Sequence, residues 1–204
     1  MSDADDLARA SQRLYALGWM RGTSGNVSVR SGDGILVTAS GIDKSRVDSS
    51  QAVRVDAVGE PAPDQSHRPS AEARVHAAIL TSIGAQAAVH VHAMSAVVAA
   101  RRWPGGVPLS DVEQLKGIGR GAHGDRVVVP VVANSQDMAE LSSRVVAAAD
   151  PAVPCVLVAD HGLYAWGGSL EEAVARTESL DWLFEHALRT DELPDAREPR
   201  DRPQ

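Results

Sequence analysis

Hydrophobic positions along the chain switch between the spacing of helices and the alternation of strands. A first helix is predicted over residues 3–18, where apolar residues recur three and four positions apart. Val27 and Val29 then alternate with polar residues and predict a strand that turns back through the glycine-bearing segment 31–34. Further strands are predicted at residues 35–39, 53–58, 87–92, 127–132, 155–159 and 163–166. Further helices are predicted at residues 70–80, 93–102, 135–149 and 169–188.

The order of these elements indicates one α/β domain over residues 1–190. Short hairpins stand beside the helices, so we expect a mixed or antiparallel sheet with helices packed on it. Pro130 predicts an edge position or a bulge in its strand, because proline has no amide hydrogen. Ser169 and Glu172 predict a capping box at the start of the last helix. The segment 191–204 is rich in Pro, Asp, Glu and Arg, which predicts a disordered tail.

Composition limits the functions that the chain can have. Its 204 residues carry a net charge of −7, which disfavours a broad basic surface for nucleic acid, so an anion must be held by a local pocket. The single cysteine, Cys155, cannot form an internal disulfide, and the first residues are acidic, unlike a secretory signal. The sequence also lacks a run of about 18 apolar residues that would span a membrane. These features predict a cytoplasmic protein without nucleic-acid or membrane partners.

The segment Val89-His90-Val91-His92 is the most distinctive feature of the sequence. Side chains alternate along a strand, so His90 and His92 are expected on one face, where they can bind one metal ion. The alternative is a polar pair on the solvent-facing side of the strand. His161 precedes Gly162 at a predicted strand end, and it either caps that turn or supplies the third imidazole of a catalytic zinc site.

Two carboxylates are candidates for proton transfer or metal binding. Glu72 lies four residues before His76 on one helical face. The two residues bind a metal together or form a surface ion pair, or Glu72 is an acid at the helix start, near the positive end of the helix dipole. Glu113 either removes a carbon-bound proton beside a metal-bound carbonyl or pairs with Lys116 along a helix.

Three segments rich in small polar residues, 23–26, 38–41 and 69–72, are candidates for binding an anion. Their hydroxyls, together with backbone amides at glycines and at a helix start, can hold phosphate without a net positive charge. The alternative is that each segment is only a turn.

Taken in order, these segments resemble the class II aldolase/adducin superfamily. The resemblance extends from about residue 7 to residue 188. It rests on five segments, namely Gly22-Thr23-Ser24-Gly25-Asn26, Thr38-Ala39-Ser40-Gly41, Pro69-Ser70-Ala71-Glu72, His90-Val91-His92 and His161-Gly162. Within the superfamily the chain is most similar to the dehydratases of methionine salvage. That likeness rests on Asp160-His161-Gly162-Leu163-Tyr164-Ala165-Trp166-Gly167, Glu113-Gln114-Leu115-Lys116-Gly117-Ile118 and Pro130-Val131-Val132-Ala133-Asn134-Ser135.

This resemblance implies a three-layer α/β/α sandwich around a mainly antiparallel sheet, and a homotetramer. It implies that one zinc ion per subunit is bound by three residues, His90, His92 and His161. It also implies that the substrate phosphate is held by four residues, Asn26, Ser40, Gly41 and Ser70. Glu113 would be the catalytic acid/base. Glu72 matches the carboxylate that serves as the base in the aldolases, and here it is either catalytic or a supporting group of the metal site.

The reaction implied by the resemblance is the zinc-dependent dehydration of 5-methylthioribulose 1-phosphate to 2,3-diketo-5-methylthiopentyl 1-phosphate. Two other functions fit the same superfamily. One is a class II aldolase or 4-epimerase that acts on fuculose phosphate or ribulose phosphate. The other is an adducin-like domain that serves in protein interactions. Related aldolases usually carry a Cys-Ala-Pro-Tyr-like segment where Glu113 stands here, which favours the dehydratase.

Overall fold

The computed structural model describes residues 2–63 and 65–191. Its helices are α1 (Asp3–Ala16), α2 (Ala73–Ala78), α3 (Met94–Arg102), α4 (Met138–Ala148) and α5 (Leu170–Asp191). Its strands are β1 (Asn26–Ser31), β2 (Gly34–Thr38), β3 (Ala52–Val55), β4 (Ala87–Val91), β5 (Val107–Ser110), β6 (Arg126–Val129), β7 (Val131–Val132), β8 (Cys155–Val158) and β9 (Gly162–Gly167). Residues 192–204, which include nearly all of the predicted tail, lie outside the described residues.

Seven strands form one sheet in the order β3-β2-β1-β4-β9-β8-β7. Adjacent strands in this sheet are antiparallel, except for the parallel pair of β7 and β8. Helices α1, α3 and α5 pack on one face, and α2 and α4 pack on the other. Strands β5 and β6 form a separate two-stranded sheet. This architecture confirms the predicted three-layer sandwich with a mainly antiparallel sheet.

Strand β4 lies inside the large sheet, and all five of its residues are buried. Val89 and Val91 point toward the face covered by α1, α3 and α5. Because side chains alternate, His90 points to the opposite face, where α2 packs. Asn26 of β1 and Tyr164 of β9 pair with His90 from the two sides. The register therefore places three polar side chains in one row across the sheet.

Several element boundaries differ from the sequence prediction for local reasons. The helix predicted from residue 70 begins at Ala73, because Ser70 forms a turn in which its carbonyl accepts from Ala73 N and its hydroxyl accepts from Glu72 N. The helix then widens into a π-helical turn over Ile79–Ile83. At the start of α5 the hydroxyl of Ser169 accepts from Glu172 N, as predicted, but the Glu172 carboxylate accepts from Gly168 N and not from Ser169 N, so only half of the capping box forms.

The predicted strand 127–132 is two strands in two different sheets. Pro130 separates β6, which pairs with β5, from β7, which joins the edge of the large sheet beside β8. The carbonyl of Pro130 accepts from Leu157 N and begins that second pairing. Strand β5 was not predicted, because its sequence Val-Pro-Leu-Ser contains a proline. The strand predicted at 53–58 ends at Val55.

Across residues 2–63 and 65–191, no helix combines the length and the apolar character needed to cross a bilayer.

The contact between β4 and the start of β9 leaves no space for a side chain at Gly162. A Cβ atom there would lie 2.2 Å from the carbonyl oxygen of Val91. We expect Gly162→Ala to lower the free energy of unfolding by about 1–3 kcal/mol, because the two strands must move apart. Urea unfolding measures this difference. Gly105→Ala is the matched control, since a Cβ at Gly105 meets nothing within 4 Å. Equal stability of the two variants would contradict the prediction.

Candidate metal centre

Three histidines from two separate segments meet in the middle of the large sheet, where β4 ends and β9 begins. His90 lies on β4, His92 follows the end of that strand, and His161 lies in the turn between β8 and β9. That turn contains Asp160 with a positive φ of 53°, and His161 N donates to the carbonyl of Val158. One ligand atom from each imidazole lies within 4.8 Å of the others. The predicted trio of histidines therefore forms one cluster.

The hydrogen-bond partners of the histidines fit metal binding. Nδ1 of His90 lies 2.9 Å from the carbonyl oxygen of Leu163, which can only accept, so Nδ1 carries the hydrogen. The lone pair of His90 Nε2 then faces His92 Nε2, 3.0 Å away. Nδ1 of His161 is buried and has no hydrogen-bond partner within the described part of the chain. A backbone carbonyl that orients a ligating imidazole is typical of metal centres.

Burial keeps the His90 and His92 rings neutral. It lowers the pKa of His90 to about 3, although Glu72 opposes the shift. Burial also lowers the pKa of His92. Neutral imidazoles are the form that binds zinc, copper, iron, nickel or cobalt, so the donor set suits a divalent transition metal.

The carboxylate of Glu72 lies against this cluster. Its two oxygens are 3.3 Å from His90 Nε2 and 3.3 Å from His161 Nε2. Asn26 Nδ2 donates to the carboxylate over 2.7 Å. Burial alone would raise the pKa of Glu72, but His90, the Asn26 amide and His161 outweigh it and lower the pKa to about 2. Glu72 is therefore an ionised acceptor at neutral pH.

A chain of hydrogen-bonded polar side chains connects Glu72 through Asn26 to the buried residues His76 and Ser28. His76 is fully buried, and burial lowers its pKa to about 4, with Glu72 opposing the shift. Its Nε2 donates to Asn26 Oδ1, because an amide oxygen can only accept, and its Nδ1 accepts from Ser28 Oγ over 2.6 Å. His76 therefore belongs neither to the histidine cluster nor to a surface ion pair, whereas Glu72 is the N-cap of α2, as the interpretation of an acid at the helix start predicts.

A cavity of about 330 Å³ adjoins the cluster. The four predicted phosphate residues, Asn26, Ser40, Gly41 and Ser70, line it together with Glu72, His92 and His161. The amides of Ser40 and Ser70 are occupied, because they donate to the carbonyls of Arg68 and Thr38. The hydroxyls of these serines are thus better placed than their amides to donate to a ligand. Sequence reasoning missed Lys44, Gln136 and Met138, which also line the cavity.

Within one chain, Glu113 lies away from the histidine cluster and the cavity. It begins the 3-10 turn Glu113–Ile118, its side chain is 77% exposed, and it pairs with Lys116 over 2.5 Å. It is not among the residues that line the cavity. Within the described residues of one chain, the carboxylate that contacts the histidines is that of Glu72.

Comparison with known proteins gives relatives along nearly the whole chain. The chain is 35% identical over 187 residues to a methylthioribulose-1-phosphate dehydratase of Methylococcus capsulatus, covering 89% of this chain and 91% of the relative. It is 37% identical over 196 residues to one of Sorangium cellulosum, covering 92% of each. It also matches a protein of Nocardia farcinica named as a probable bifunctional methylthioribose-1-phosphate isomerase/methylthioribulose-1-phosphate dehydratase, with 37% identity over 193 residues. The chain spans 35% of that longer protein.

Solved structures have the same fold. An L-fuculose 1-phosphate aldolase is similar with a TM-score of 0.79 and 23% identity, covering 94% of this chain and 90% of the other. The L-fuculose-1-phosphate aldolase of Thermus thermophilus is similar with a TM-score of 0.74 and 26% identity, covering 91% and 93%. The sequence model of the protein family named Class II Aldolase and Adducin N-terminal domain matches residues 5–188. The chain therefore belongs to the class II aldolase and adducin N-terminal domain family.

Proposed function

We propose that this protein is a zinc-dependent dehydratase that converts 5-methylthioribulose 1-phosphate to 2,3-diketo-5-methylthiopentyl 1-phosphate. The observation that carries the proposal is the cluster of three imidazoles with Glu72, which adjoins a cavity lined by serine- and glycine-bearing loops. Relatives of similar length that bear the dehydratase name favour dehydration over the other reactions of the family. We further propose that the protein acts in methionine salvage, as the resemblance implies, and in the cytoplasm, with which its single, free cysteine is consistent.

Three nitrogen donors with an open position match the ligand set of catalytic zinc sites, and His90, His92 and His161 would hold the ion. Bound zinc would supply Lewis-acid chemistry, polarising the substrate carbonyl and acidifying the adjacent carbon-bound hydrogen. The Leu163 carbonyl keeps the His90 ring in the tautomer that this role requires.

Dehydration removes the hydrogen on C3 and the hydroxyl on C4 as water, and the resulting enol becomes the 2,3-diketone. One group must accept the C3 proton and then protonate the departing hydroxyl, and we assign this to Glu113. Glu72 is ionised and held by Asn26, so it accepts hydrogen bonds and is suited to orient a substrate hydroxyl. Serine hydroxyls and the Gly41 loop would hold the phosphate away from the reacting carbons.

This role requires that Glu113 reach the cavity from another copy of the chain. Its exposed position outside the cavity of its own chain supports an active site completed between subunits. We propose a homo-oligomer, in the form of a tetramer, in which Glu113 of one subunit faces the histidine cluster of the next.

The assay that tests the function follows diketone formation from 5-methylthioribulose 1-phosphate. We expect the zinc-loaded protein to form the diketone, to lose this activity with a chelator and to regain it with zinc. Fuculose 1-phosphate and ribulose 5-phosphate are run in parallel. No diketone from any preparation that contains bound zinc would refute the dehydratase.

An aldolase is the second candidate, and the position of Glu72 in the cavity favours it. Glu72 matches the carboxylate that the resemblance identifies as the aldolase base. Cleavage of the parallel substrates into triose or glycolaldehyde-type products, without diketone, would establish this alternative.

Glu113→Gln tests the assignment of the acid/base. We expect this variant to keep its zinc and to lose dehydration by about 10²–10⁴-fold, since the amide cannot transfer the proton. Glu185→Gln is the control, because Glu185 is also a largely exposed carboxylate paired with a basic residue, Arg189. Zinc content by mass spectrometry and initial rates measure the two properties. Full activity of Glu113→Gln would show that another group is the base.

Mixed oligomers test whether Glu113 acts across subunits. Glu113→Gln and His92→Gln chains, each inactive alone, are co-expressed with different tags and purified through both. A site is intact only when its histidine cluster comes from a Glu113→Gln chain and its Glu113 comes from a His92→Gln chain, so random mixing restores roughly a quarter of wild-type activity. Inactive mixed oligomers would place the action of Glu113 within its own chain.

A further inference from the structure

Lys44 is a buried cation in the wall of the candidate cavity. Its side chain is 1% exposed, and Lys44 lines the cavity beside Ser40, Gly41 and Ser70. Its ammonium donates to two backbone carbonyls, those of Thr23 and Ile42, each over 3.2 Å. Among residues 2–63 and 65–191, none of the salt bridges includes Lys44. Within the described residues, the Lys44 ammonium is therefore solvated by carbonyl dipoles and has no anionic side chain as an ion-pair partner.

A buried charge without an ion-pair partner is unfavourable, and an anion that enters from the cavity would compensate it. The pKa of Lys44 is lowered by burial, with Asp43 partly opposing the shift, which agrees with a cation short of compensation. An ammonium group has three hydrogens, and the two carbonyls account for two of them. One hydrogen remains for a ligand.

The partners of Lys44 fix where that ligand would bind. Thr23 belongs to the loop before β1, and Ile42 belongs to the loop after β2. Lys44 thus joins two of the segments whose hydroxyls and amides line the cavity. Glu72 lines the same cavity beside His92 and His161. A phosphate that binds at Lys44 leaves the remainder of the sugar to extend toward His92 and His161, which line the same cavity.

We propose that Lys44 binds the substrate phosphate directly and makes the cavity selective for phosphorylated sugars. This inference rests on the proposed function, because it names the group that recognises the substrate of that same site. The phosphate would face Lys44 and leave the carbonyl end toward the histidine cluster. A sugar without phosphate leaves the Lys44 charge uncompensated and binds weakly.

The test compares Lys44→Met with wild type, using inorganic phosphate as an inhibitor of dehydration. We expect the inhibition constant for phosphate and the KM for the sugar phosphate to rise about 10- to 100-fold, with kcat within about threefold. Arg46→Met is the control, since it removes an exposed positive charge two residues away. Unchanged phosphate inhibition in Lys44→Met, with or without a lower melting temperature, would reduce Lys44 to a structural tie between loops and overturn the inference.

A second measurement needs no variant at Lys44. The chain contains two lysines, Lys44 and Lys116, so protein labelled with ¹⁵N-lysine gives two side-chain ammonium signals that are simple to separate. Titration of wild type with inorganic phosphate is expected to shift the Lys44 signal and leave that of exposed Lys116 in place. No shift of Lys44 at saturating phosphate overturns the inference.

The inference and the proposed function fail separately. A phosphate-dependent Lys44 signal in a protein that forms no diketone would keep the anion site and refute the dehydratase. If the protein forms the diketone but the inhibition constant for phosphate is the same in Lys44→Met as in wild type, the dehydratase stands and the role of Lys44 is refuted.

Discussion

The buried carboxylate of Glu72 is the constraint around which the candidate site is built. A carboxylate removed from water is unfavourable unless it has a partner; here Asn26 donates to it, and Nε2 of His90 and of His161 each lie 3.3 Å from its oxygens. Asn26 can donate in a fixed direction because His76 holds its amide oxygen, and Ser28 in turn holds His76. These buried side chains each have a fixed partner, so the arrangement resists rearrangement when a ligand enters.

Antiparallel pairing explains why residues from distant segments meet. Strand β1 begins, β2 ends, β4 ends and β9 begins at the same edge of the sheet, since each pair of neighbours runs in opposite directions. Asn26 begins β1 there, and the loops at the same strand ends carry Ser40, His92 and His161. The large sheet thus supplies rigid backbone positions, while its connections supply the reactive groups. The narrow contact at Gly162 keeps β4 close to the start of β9, so His90 on β4 faces His161 in the turn before β9.

Much of this arrangement is readable in the sequence. Strand alternation predicts that His90 and His92 share a face, and the segment order predicts the fold. Other features depend on tertiary contacts that no local pattern encodes. The pattern at His76 is equally that of an exposed helix face, and only packing against β1 makes it a buried partner of Asn26. Pro130 signals an interruption, but the switch to a second sheet depends on where Leu157 lies. Glu113 is recognisable only through the family resemblance, since one chain leaves it exposed.

The role of Lys44 is another feature that the sequence does not reveal, because it depends on where the charge lies in the fold. A net charge of −7 indicates that any anion is bound locally, but it does not say which cation does so among 20 basic residues. Most arginines described here lie at exposed or half-buried positions, where water screens their charge. Lys44 is screened least because it is buried, and its flexible stem lets a compact ammonium reach both loops at once. The overall acidity of the protein and the local demand for an anion are therefore compatible, since the field inside the cavity is set by the nearest buried charges.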